Sequence, residues 1–402
     1  MSIETLTEQI LNKIPTVGKW QRKFIIHLFS LWLSIRGRYN YINLSRYGKF
    51  REDTYRRNAS RTFPFLTFNE ELVQQKLNKN RILAFDPTYV SKSGKHTPGV
   101  GYFYSGCAGR EKWGLEFCGI AAIDLETKTA LHLEAVQTRK ENKDETLLQY
   151  YAQHIIERST VLKRVSSLIA VDAFFSLAPF INPVIEAGFD LVTRLRKNVV
   201  MRYLYTGPKR KGRGRPKQYD GRINPMQLDF NHFSECARGL DNQWIAYEAV
   251  VNIRSWKRSV RLVIEHTFDK NGSVKSYKIY ACTDINMPGE KVKLAYNSRF
   301  QIEFLYRDAK QELGLEHCQA RCYEKLYFHV NTALTCVSLA KAAFHLPIKK
   351  EEHKPFSIAD IKNAHANDLL LNQFIAWFGI KPKHKLIKTV RSKIRAFGKR
   401  AA

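Results

Sequence analysis

The chain has 402 residues, of which 44% are hydrophobic and 26% are charged, so it can bury sizeable cores and is not a basic disordered tail. Its 66 Lys and Arg residues outweigh 37 Asp and Glu residues, and the formal net charge of +29 favours a polyanionic partner, above all nucleic acid. A chain of this length folds into roughly two to three domains.

Cysteine usage and hydropathy indicate a cytoplasmic protein. The seven cysteines are scattered, odd in number and include no CxxC pair, which favours a reducing compartment over a disulfide framework. Cys318 and Cys322 lie beside His317, but one short cluster is weak evidence for zinc. The apolar stretch 24–35 is too short to span a bilayer, and no basic leader with an apolar segment opens the sequence.

Residues 1–80 are predicted to form a helical N-terminal DNA-binding domain, because apolar residues recur there at helical spacing. Within it, a short helix, a turn containing Gly48 and a second helix that carries Arg56 and Arg57 outline a helix-turn-helix. A basic helical linker is an equally good interpretation of the same segment.

Residues 81–197 are predicted to be the first part of a mixed α/β core, since three consecutive strands are followed by helices that alternate with further strands. Short apolar runs rich in Ile, Leu, Val and Phe mark the strands. The predicted strands are 81–90, 102–123, 130–136, 167–172 and 190–196, and the predicted helices are 143–163 and a segment through 180–185.

The remainder of the chain divides into three predicted regions. Residues 198–276 contain short apolar runs between Gly, Asn and Asp, which indicate β-hairpins and hence a β-rich insertion. Residues 277–320 resume the core with a long amphipathic helix, and residues 321–402 are helical and basic.

Two aspartates follow apolar runs that are predicted to be buried strands. Asp86 ends the run that begins at Arg81, and Asp172 ends the run that begins at Ser167. A carboxylate at the end of a buried strand is costly unless it is paired or bound to a cation. Either aspartate alone could simply cap a turn. Together with a third carboxylate, they favour a divalent-metal site.

The third carboxylate, Glu303, lies in the segment 296–310, where Tyr296, Arg299, Glu303 and Lys310 have the spacing Tyr-x2-Arg-x3-Glu-x6-Lys. On an ideal helix these side chains point within about 60° of one another, so a carboxylate, two cations and a phenol would share one stripe. The other side is expected to lie on the core through Phe300, Ile302, Phe304, Leu305 and Ala309. A solvated surface helix with an ordinary Arg–Glu pair is the alternative.

These residues carry a family resemblance that covers about residues 81–321. The chain resembles bacterial insertion-sequence transposases of the DDE type, in the group with the Tyr-Arg-Glu-Lys signature. The resemblance implies an RNase H-like core, as in the retroviral integrase superfamily, with a β-rich insertion before the catalytic helix. It also implies cut-and-paste transposition, double-stranded DNA with terminal inverted repeats as partner, a homodimer on DNA and association with the bacterial nucleoid. A catalytically silent DNA-binding derivative and another RNase H-like nuclease remain as alternatives.

The implied chemistry assigns roles to the three carboxylates. Phosphodiester cleavage and strand transfer require charge neutralisation on the attacking and leaving oxygens, which two Mg²⁺ ions with hard oxygen ligands provide, and Mn²⁺ can substitute. We expect Asp86 to contact both ions, Asp172 to hold one and Glu303 the other.

The cations and the phenol of the signature are expected to contact DNA. Arg299 and Lys310 would bind phosphates beside the metal ions, and Tyr296 would donate its hydroxyl to the same backbone. A salt bridge within the helix is the alternative for Arg299.

Two features of the insertion are further candidates for DNA contact. Arg213 and Arg215 lie in the most basic stretch, 208–217, which resembles the core of an AT-hook. Trp256 lies at a predicted hairpin tip and is the candidate for stacking on a flipped base, as the resemblance implies. A solvated loop is the alternative for the basic stretch, and burial in a core is the alternative for the tryptophan.

Overall fold

A computed structural model describes residues 1–139, 144–208, 215–348, 355–379 and 385–399. The N-terminal region is helical, as predicted. Side chains cap two of its helices: the Ser2 hydroxyl accepts a hydrogen bond from the Thr5 amide, and Asn40 accepts one from the Asn43 amide. The helices are α1 (Ile3–Asn12), α2 (Lys19–Ser34), α3 (Tyr41–Tyr47), α4 (Glu52–Asn58) and α5 (Phe65–Lys76).

The core sheet follows α5. The predicted strand 102–123 is two strands joined by a hairpin turn, because residues 106–109 include two glycines and interrupt the apolar pattern. The strands are β1 (Arg81–Ser91), β2 (Gly101–Ser105), β3 (Arg110–Asp124), β4 (Thr129–Gln137), β5 (Leu168–Val171) and β6 (Asp190–Arg194).

The order of these strands is that of an RNase H-like core. β3 pairs antiparallel with both β1 and β4, whereas β5 pairs parallel with β1 and β6 pairs parallel with β5. The parallel strands are reached through α6 (Leu147–Glu157), α7 (Ser159–Val165) and α8 (Ala178–Glu186). The predicted helix 143–163 is thus two helices, with a break at Arg158. The predicted mixed α/β fold is confirmed.

The β-rich insertion extends the core sheet. Its strands are β7 (Met201–Leu204), β8 (Tyr219–Arg222), β9 (Ser234–Arg238), β10 (Trp244–Ile253), β11 (Arg258–Phe268) and β12 (Val274–Cys282). β12 pairs antiparallel with β6, then β11, β10, β7 and β8 follow in order, and β9 pairs with β10, so that the described sheet has 12 strands. β12 also crosses the expected boundary at residue 276.

Five helices complete the described chain, and none of the helices in its described part is long and apolar enough to cross a membrane. They are α9 (Gly289–Ser298), α10 (Gln301–Glu312), α11 (Tyr323–Phe344), α12 (Ile358–Trp377) and α13 (Lys385–Ala396).

Helix α11 closes the outer side of β4. The Ser338 hydroxyl accepts a hydrogen bond from the His132 amide, and the Asn331 side-chain oxygen accepts one from the Ala135 amide, both at 2.8 Å. Unpaired N–H groups of a buried strand are costly, so these polar side chains satisfy β4 where no strand covers it.

Candidate active site

Asp86 lies in the middle of β1, within the predicted strand 81–90, although the end of its apolar run suggested a place at the end of a strand. The strand continues to Ser91 because Thr88, Tyr89 and Val90 also pair with β3, which extends the ladder beyond the apolar run. The carboxylate therefore projects from the middle strand of the core, β4-β3-β1-β5-β6, opposite Gly119 of β3.

Asp172 follows β5 directly, as predicted. Its Oδ1 accepts a hydrogen bond of 2.6 Å from the Ala173 amide and caps a 3₁₀ turn, Ala173–Phe175. The Thr193 hydroxyl donates to its backbone oxygen at 3.1 Å. Since β5 runs parallel to β1, the two aspartates lie on neighbouring strands. Asp172 therefore caps a turn, which was the alternative role, and also lies beside the strand that carries Asp86.

The signature segment is two helices and not the single helix that its spacing predicts. The amide of Arg299 bonds to the Tyr296 oxygen and that of Ile302 to the Arg299 oxygen, both at 3.1 Å, so the turn between α9 and α10 is tightened to three-residue bonding. This turn exposes about half of the Phe300 ring, which was expected to lie on the core.

Three of the four signature side chains nevertheless converge with the two aspartates. The Tyr296 hydroxyl donates to Asp172 Oδ1 at 3.3 Å. The Arg299 guanidinium lies 3.5 Å from Asp86 Oδ1 and 3.5 Å from Glu303 Oε1. One largely buried cation thus bridges two carboxylates that are 217 residues apart in sequence.

The electrostatics of this cluster favour a cation. Burial raises the pKa of Asp86 to about 7, and the charges of Glu303 and Asp172 act in the same direction, against the lowering effect of Arg299. Burial also raises the pKa of Glu303. Burial disfavours the charge on Arg299, yet Asp86 and Asp172 raise the pKa of its guanidinium. The carboxylates repel one another and Arg299 offsets part of that repulsion.

The donor chemistry of the three carboxylates fits a divalent cation such as Mg²⁺, which prefers hard oxygen ligands. As placed here, no three metal-ligating side chains in the described parts of the chain are close enough together to enclose an ion. Arg299 supplies the positive charge between Asp86 and Glu303 in this conformation.

A tyrosine and a glycine that the sequence analysis did not single out fix α10 against β1. The Tyr306 hydroxyl, one turn after Glu303, donates to the backbone oxygen of Asp86 at 2.6 Å. A Cβ atom on Gly119 would overlap that hydroxyl oxygen. The sequence signal that could have identified this contact is a glycine inside a buried strand, because such a glycine often marks the close approach of another segment.

The C-terminal end of α10 is held by side chains from three other regions. The last carbonyls of a helix lack partners within the helix and need outside donors. These donors come from the N-terminal helical region, from α11 and from α12. Trp32 Nε1 bonds to Leu313 O at 3.1 Å, Tyr39 Oη to Glu312 O at 2.9 Å, Lys362 Nζ to Glu312 O at 2.6 Å and His329 Nε2 to Gly314 O at 2.7 Å.

His329 makes this arrangement sensitive to acid. Since a carbonyl can only accept, Nε2 carries a proton, and burial keeps the ring neutral by disfavouring a second proton on Nδ1. Burial lowers the pKa of His329 from 6.5 to about 4, and burial likewise lowers that of His132 to about 4. A lowered folded-state pKa contributes stability that is present above the unfolded pKa and is lost as pH falls.

We expect the free energy of unfolding to fall between pH 6.5 and about 4, by up to about 1.4 kcal/mol per pH unit for each such histidine. His329→Gln removes one of these titrating groups, so the free energy of unfolding should fall less steeply with pH, by the contribution of one histidine. Urea unfolding across the pH range measures this slope. His96→Gln, at an exposed position, is the matched control for the replacement of a histidine by glutamine. An identical slope in His329→Gln would contradict the assignment.

Trp256 does not present a ring for base stacking, which corrects the prediction. It lies at the tip of the β10–β11 hairpin as expected, but only 2% of it is exposed, and its Nε1 donates to the Ser176 oxygen at 3.0 Å. The indole fills space against the core and needs a partner for its N–H. It therefore ties the insertion to the segment after Asp172.

The remaining basic candidates lie outside the carboxylate cluster. Lys310 is partly buried near the end of α10 and, among the described residues, makes no hydrogen bond to the three carboxylates. Arg56 pairs with Glu52 and lies over the Tyr41 ring, and Arg57 is exposed on the same helix.

The basic stretch of the insertion is described only in part. Arg215 is exposed and donates to Gln218 at 3.3 Å, whereas Arg213 lies outside the described residues. DNA contact by these arginines, by Lys310 and by the α4 arginines stays a prediction.

A family model described as a transposase DDE domain matches residues 78–339. No curated protein is significantly similar to the sequence. Among solved structures, the chain is similar to the piggyBac transposase in a synaptic complex with hairpin DNA, with a TM-score of 0.37 and 12% identity. The similarity covers 82% of this chain and 60% of that one.

Proposed function

Because this chain belongs to the family of transposases with a DDE domain, we propose that it is a DNA transposase whose phosphoryl-transfer site is formed by Asp86, Asp172 and Glu303. The observation that carries the proposal is the convergence of Tyr296, Arg299 and Glu303 on the two aspartates. Asp86, Asp172 and the signature residues come from three separate segments of the chain. The spacing of the signature does not by itself bring either aspartate close to it.

The three carboxylates would hold two divalent ions, most simply Mg²⁺, which neutralise charge on the attacking and leaving oxygens of the phosphodiester. Asp86 is the candidate to contact both, because β1 is paired with β5, which precedes Asp172, and because Asp86 shares the Arg299 guanidinium with Glu303. Burial raises the pKa of Asp86, and a cation in the site would lower that pKa again and so keep the carboxylate ionised at neutral pH.

The chain's own cations would orient the DNA. Arg299 holds Asp86 and Glu303 in place through its two ion pairs, and its remaining N–H groups are suited to a phosphate oxygen. Tyr296 orients Asp172 through its hydroxyl. Lys310 lies two turns beyond Glu303 on the same helix, where it would contact the backbone further along the strand.

The partner would be double-stranded DNA, namely the terminal inverted repeats of a bacterial insertion sequence and a target site. The net charge of +29 supports a polyanion, and Arg56 and Arg57 on the short helix α4 are the candidates for recognition in the N-terminal region. The Tyr-Arg-Glu-Lys signature favours cut-and-paste transposition as the form of the reaction. We propose that a homodimer on DNA carries it out, in the nucleoid of the cell.

A salt titration tests the contribution of the insertion to DNA binding. Replacing Arg213 and Arg215 with Gln should weaken binding and flatten the log–log salt dependence by roughly one unit for each phosphate that is no longer neutralised. Arg238→Gln is the matched control, because this exposed arginine of the insertion is paired with Glu235 and should leave the slope unchanged. A slope that is the same in all three proteins would make the stretch a solvated loop.

The proposed function is tested with a plasmid that carries the genomic segments flanking this coding region. Incubation of the full chain with the plasmid and Mg²⁺ should release the flanked segment by double-strand cleavage at inverted repeats, and chelation by EDTA should prevent it. Failure to cleave with Mg²⁺ or Mn²⁺, or cleavage that persists in EDTA, would contradict the proposal.

A further inference from the structure

Each of the three clustered carboxylates already has a partner within the protein. Asp172 Oδ1 accepts a hydrogen bond of 3.3 Å from the Tyr296 hydroxyl. Asp86 and Glu303 share the Arg299 guanidinium, because Nη1 lies 3.5 Å from Asp86 Oδ1 and Nη2 lies 3.5 Å from Glu303 Oε1. The Arg299 side chain is 11% exposed, so one cation of the chain serves two carboxylates from inside the cluster.

The contacts of Arg299 are long for an arginine between two carboxylates. A charge-assisted N–H···O bond is normally about 2.7–2.9 Å long, whereas both distances here are 3.5 Å. The Nε–H group of Arg299 is also buried, and it has no hydrogen-bond partner among the described residues. A buried donor without a partner is costly. Arg299 is therefore held mainly by charge, and a partner that offers closer hydrogen bonds would compete for it.

A divalent cation on the same carboxylates would repel Arg299. Since Mg²⁺ binds oxygen at about 2.1 Å, an ion on Asp86 Oδ1 would lie no more than about 5.6 Å from Arg299 Nη1. Repulsion at this distance is strong where water is largely excluded, and an arginine cannot relieve it by losing its proton. Two divalent ions and one guanidinium carry more positive charge than three carboxylates can neutralise. Arg299 and the ions therefore compete for Asp86 and Glu303.

A DNA phosphate would offset this excess of positive charge and would offer Arg299 a better partner. A guanidinium binds a phosphate through two parallel N–H···O bonds, which Arg299 does not make with either carboxylate. The cluster is most open at Glu303, whose side chain is 40% exposed compared with 19% for Asp86. The next residue after Arg299, Phe300, is 48% exposed, so the turn that carries the arginine also lies at the surface.

We propose that Arg299 is an internal counter-ion that excludes metal ions from Asp86 and Glu303 until a DNA phosphate draws it away. The inference rests on the proposed function, because it takes these carboxylates as metal ligands and DNA as the source of the phosphate. Metal and DNA binding would then be coupled, and each ligand would strengthen the binding of the other by the same factor, typically about 5- to 150-fold. The protein would load its ions chiefly after it has bound DNA.

The first test titrates Mn²⁺ into the full chain and measures bound ions by electron paramagnetic resonance, with and without a duplex of the flanking sequence. Without DNA, Arg299→Gln should bind Mn²⁺ at least about fivefold more tightly than the wild type, because both carboxylates lose their internal counter-ion. The duplex should tighten Mn²⁺ binding at least about fivefold for the wild type and by a smaller factor for Arg299→Gln.

Arg307→Gln is the matched control for the loss of charge. It removes an arginine from the same helix, α10, at a side chain that is 52% exposed and paired with Asp308. This variant should bind Mn²⁺ as the wild type does. A gain equal to that of Arg299→Gln would mean that the overall charge near the site sets the metal affinity, and it would overturn the inference.

A second test uses the wild type alone and therefore does not depend on the folding of a variant. Phenylglyoxal modifies accessible arginines, and mass spectrometry of the peptides measures the modification of each one. Saturating Mn²⁺ without DNA should increase the modification of Arg299, because the ion displaces the guanidinium towards solvent. Arg22, which donates to the backbone oxygens of Val17 and Ile14, is the internal reference and should be modified equally with and without Mn²⁺.

Failure of the coupling and failure of the proposed function give different results. Equal Mn²⁺ affinity of Arg299→Gln and the wild type without DNA, or modification of Arg299 that Mn²⁺ does not change, would overturn the coupling. The metal site itself would stand if Asp86→Asn still lowers Mn²⁺ binding in the presence of the duplex. Absence of Mn²⁺ binding in every one of these proteins, with and without DNA, would refute both.

Discussion

Asp86→Asn, Asp172→Asn and Glu303→Gln are each expected to lower the rate of Mg²⁺-dependent strand cleavage by about a thousandfold or more. Each substitution removes a negative oxygen ligand while preserving side-chain size. Metal ions stabilise the transition-state charge by several kcal/mol, and each 1.36 kcal/mol corresponds to a factor of ten in rate. The measurement is the single-turnover rate on the flanking-sequence substrate at saturating protein.

DNA affinity separates this chemical effect from loss of binding or folding. The three variants should retain wild-type affinity for the substrate within a few-fold, because most affinity for DNA comes from backbone contacts elsewhere. Glu312→Gln is the matched control: it makes the same charge change near the end of α10, away from the cluster, and should cleave normally. Wild-type cleavage by any one of the three variants would remove that residue from the site.

Gly119→Ala is expected to have the second largest effect, although it adds only one methyl group. The new Cβ would overlap the Tyr306 hydroxyl, so the bond from Tyr306 to the Asp86 backbone must break and α10 must move. Overpacking of this kind costs about 1–3 kcal/mol of stability. A shift of about 1 Å in a catalytic group can cost roughly a hundredfold in rate, and Glu303 moves with α10.

A second substitution tests whether this mechanism is correct. Tyr306→Phe in the Gly119→Ala background removes the overlapping oxygen and should recover part of the stability and of the cleavage rate. Gly101→Ala, at a strand glycine where a Cβ meets only an ordinary contact with Phe103, is the control and should be neutral. Equal effects of the two glycine substitutions, measured by thermal unfolding and single-turnover cleavage, would contradict the close-approach explanation.

Sequence pattern predicted the architecture where local periodicity and burial agree. The runs that lead to Asp86 and Asp172 are short and apolar, which predicts buried strands, and the two runs do form neighbouring strands of the core sheet. The strand 81–90 was predicted nearly in full, but the end of the apolar run suggested that Asp86 ends a strand. Residues after such a run can still pair when the neighbouring strand is long enough, as β3 is.

The signature segment forms two helices, and the single ideal helix assumed from its spacing was wrong. Spacing placed Tyr296, Arg299 and Glu303 on one stripe, and they do converge, but through a tightened turn that also exposes Phe300. The expected packing of Phe300 on the core failed because periodicity cannot detect a change from four-residue to three-residue hydrogen bonding.

Contacts between distant segments could not be predicted from one sequence. The hairpin tip at Trp256 has the polar composition of an exposed turn, yet its indole packs beside Ser176, 80 residues earlier. The pairing of Gly119 with Tyr306 likewise depends on how α10 crosses the sheet. Such contacts are set by tertiary packing, which overrides local composition.

If Asp86, Asp172 and Glu303 hold the catalytic ions, metal binding by the protein–DNA complex must depend on each of them. Electron paramagnetic resonance of Mn²⁺, titrated into the full chain with its flanking-sequence DNA, counts bound ions without relying on turnover. We expect the wild type and Glu312→Gln to bind the two ions of a two-metal site, and we expect Asp86→Asn, Asp172→Asn and Glu303→Gln each to bind fewer ions or to bind them more weakly. Equal occupancy and affinity in Asp86→Asn and the wild type would contradict the assignment of the three carboxylates as the catalytic centre.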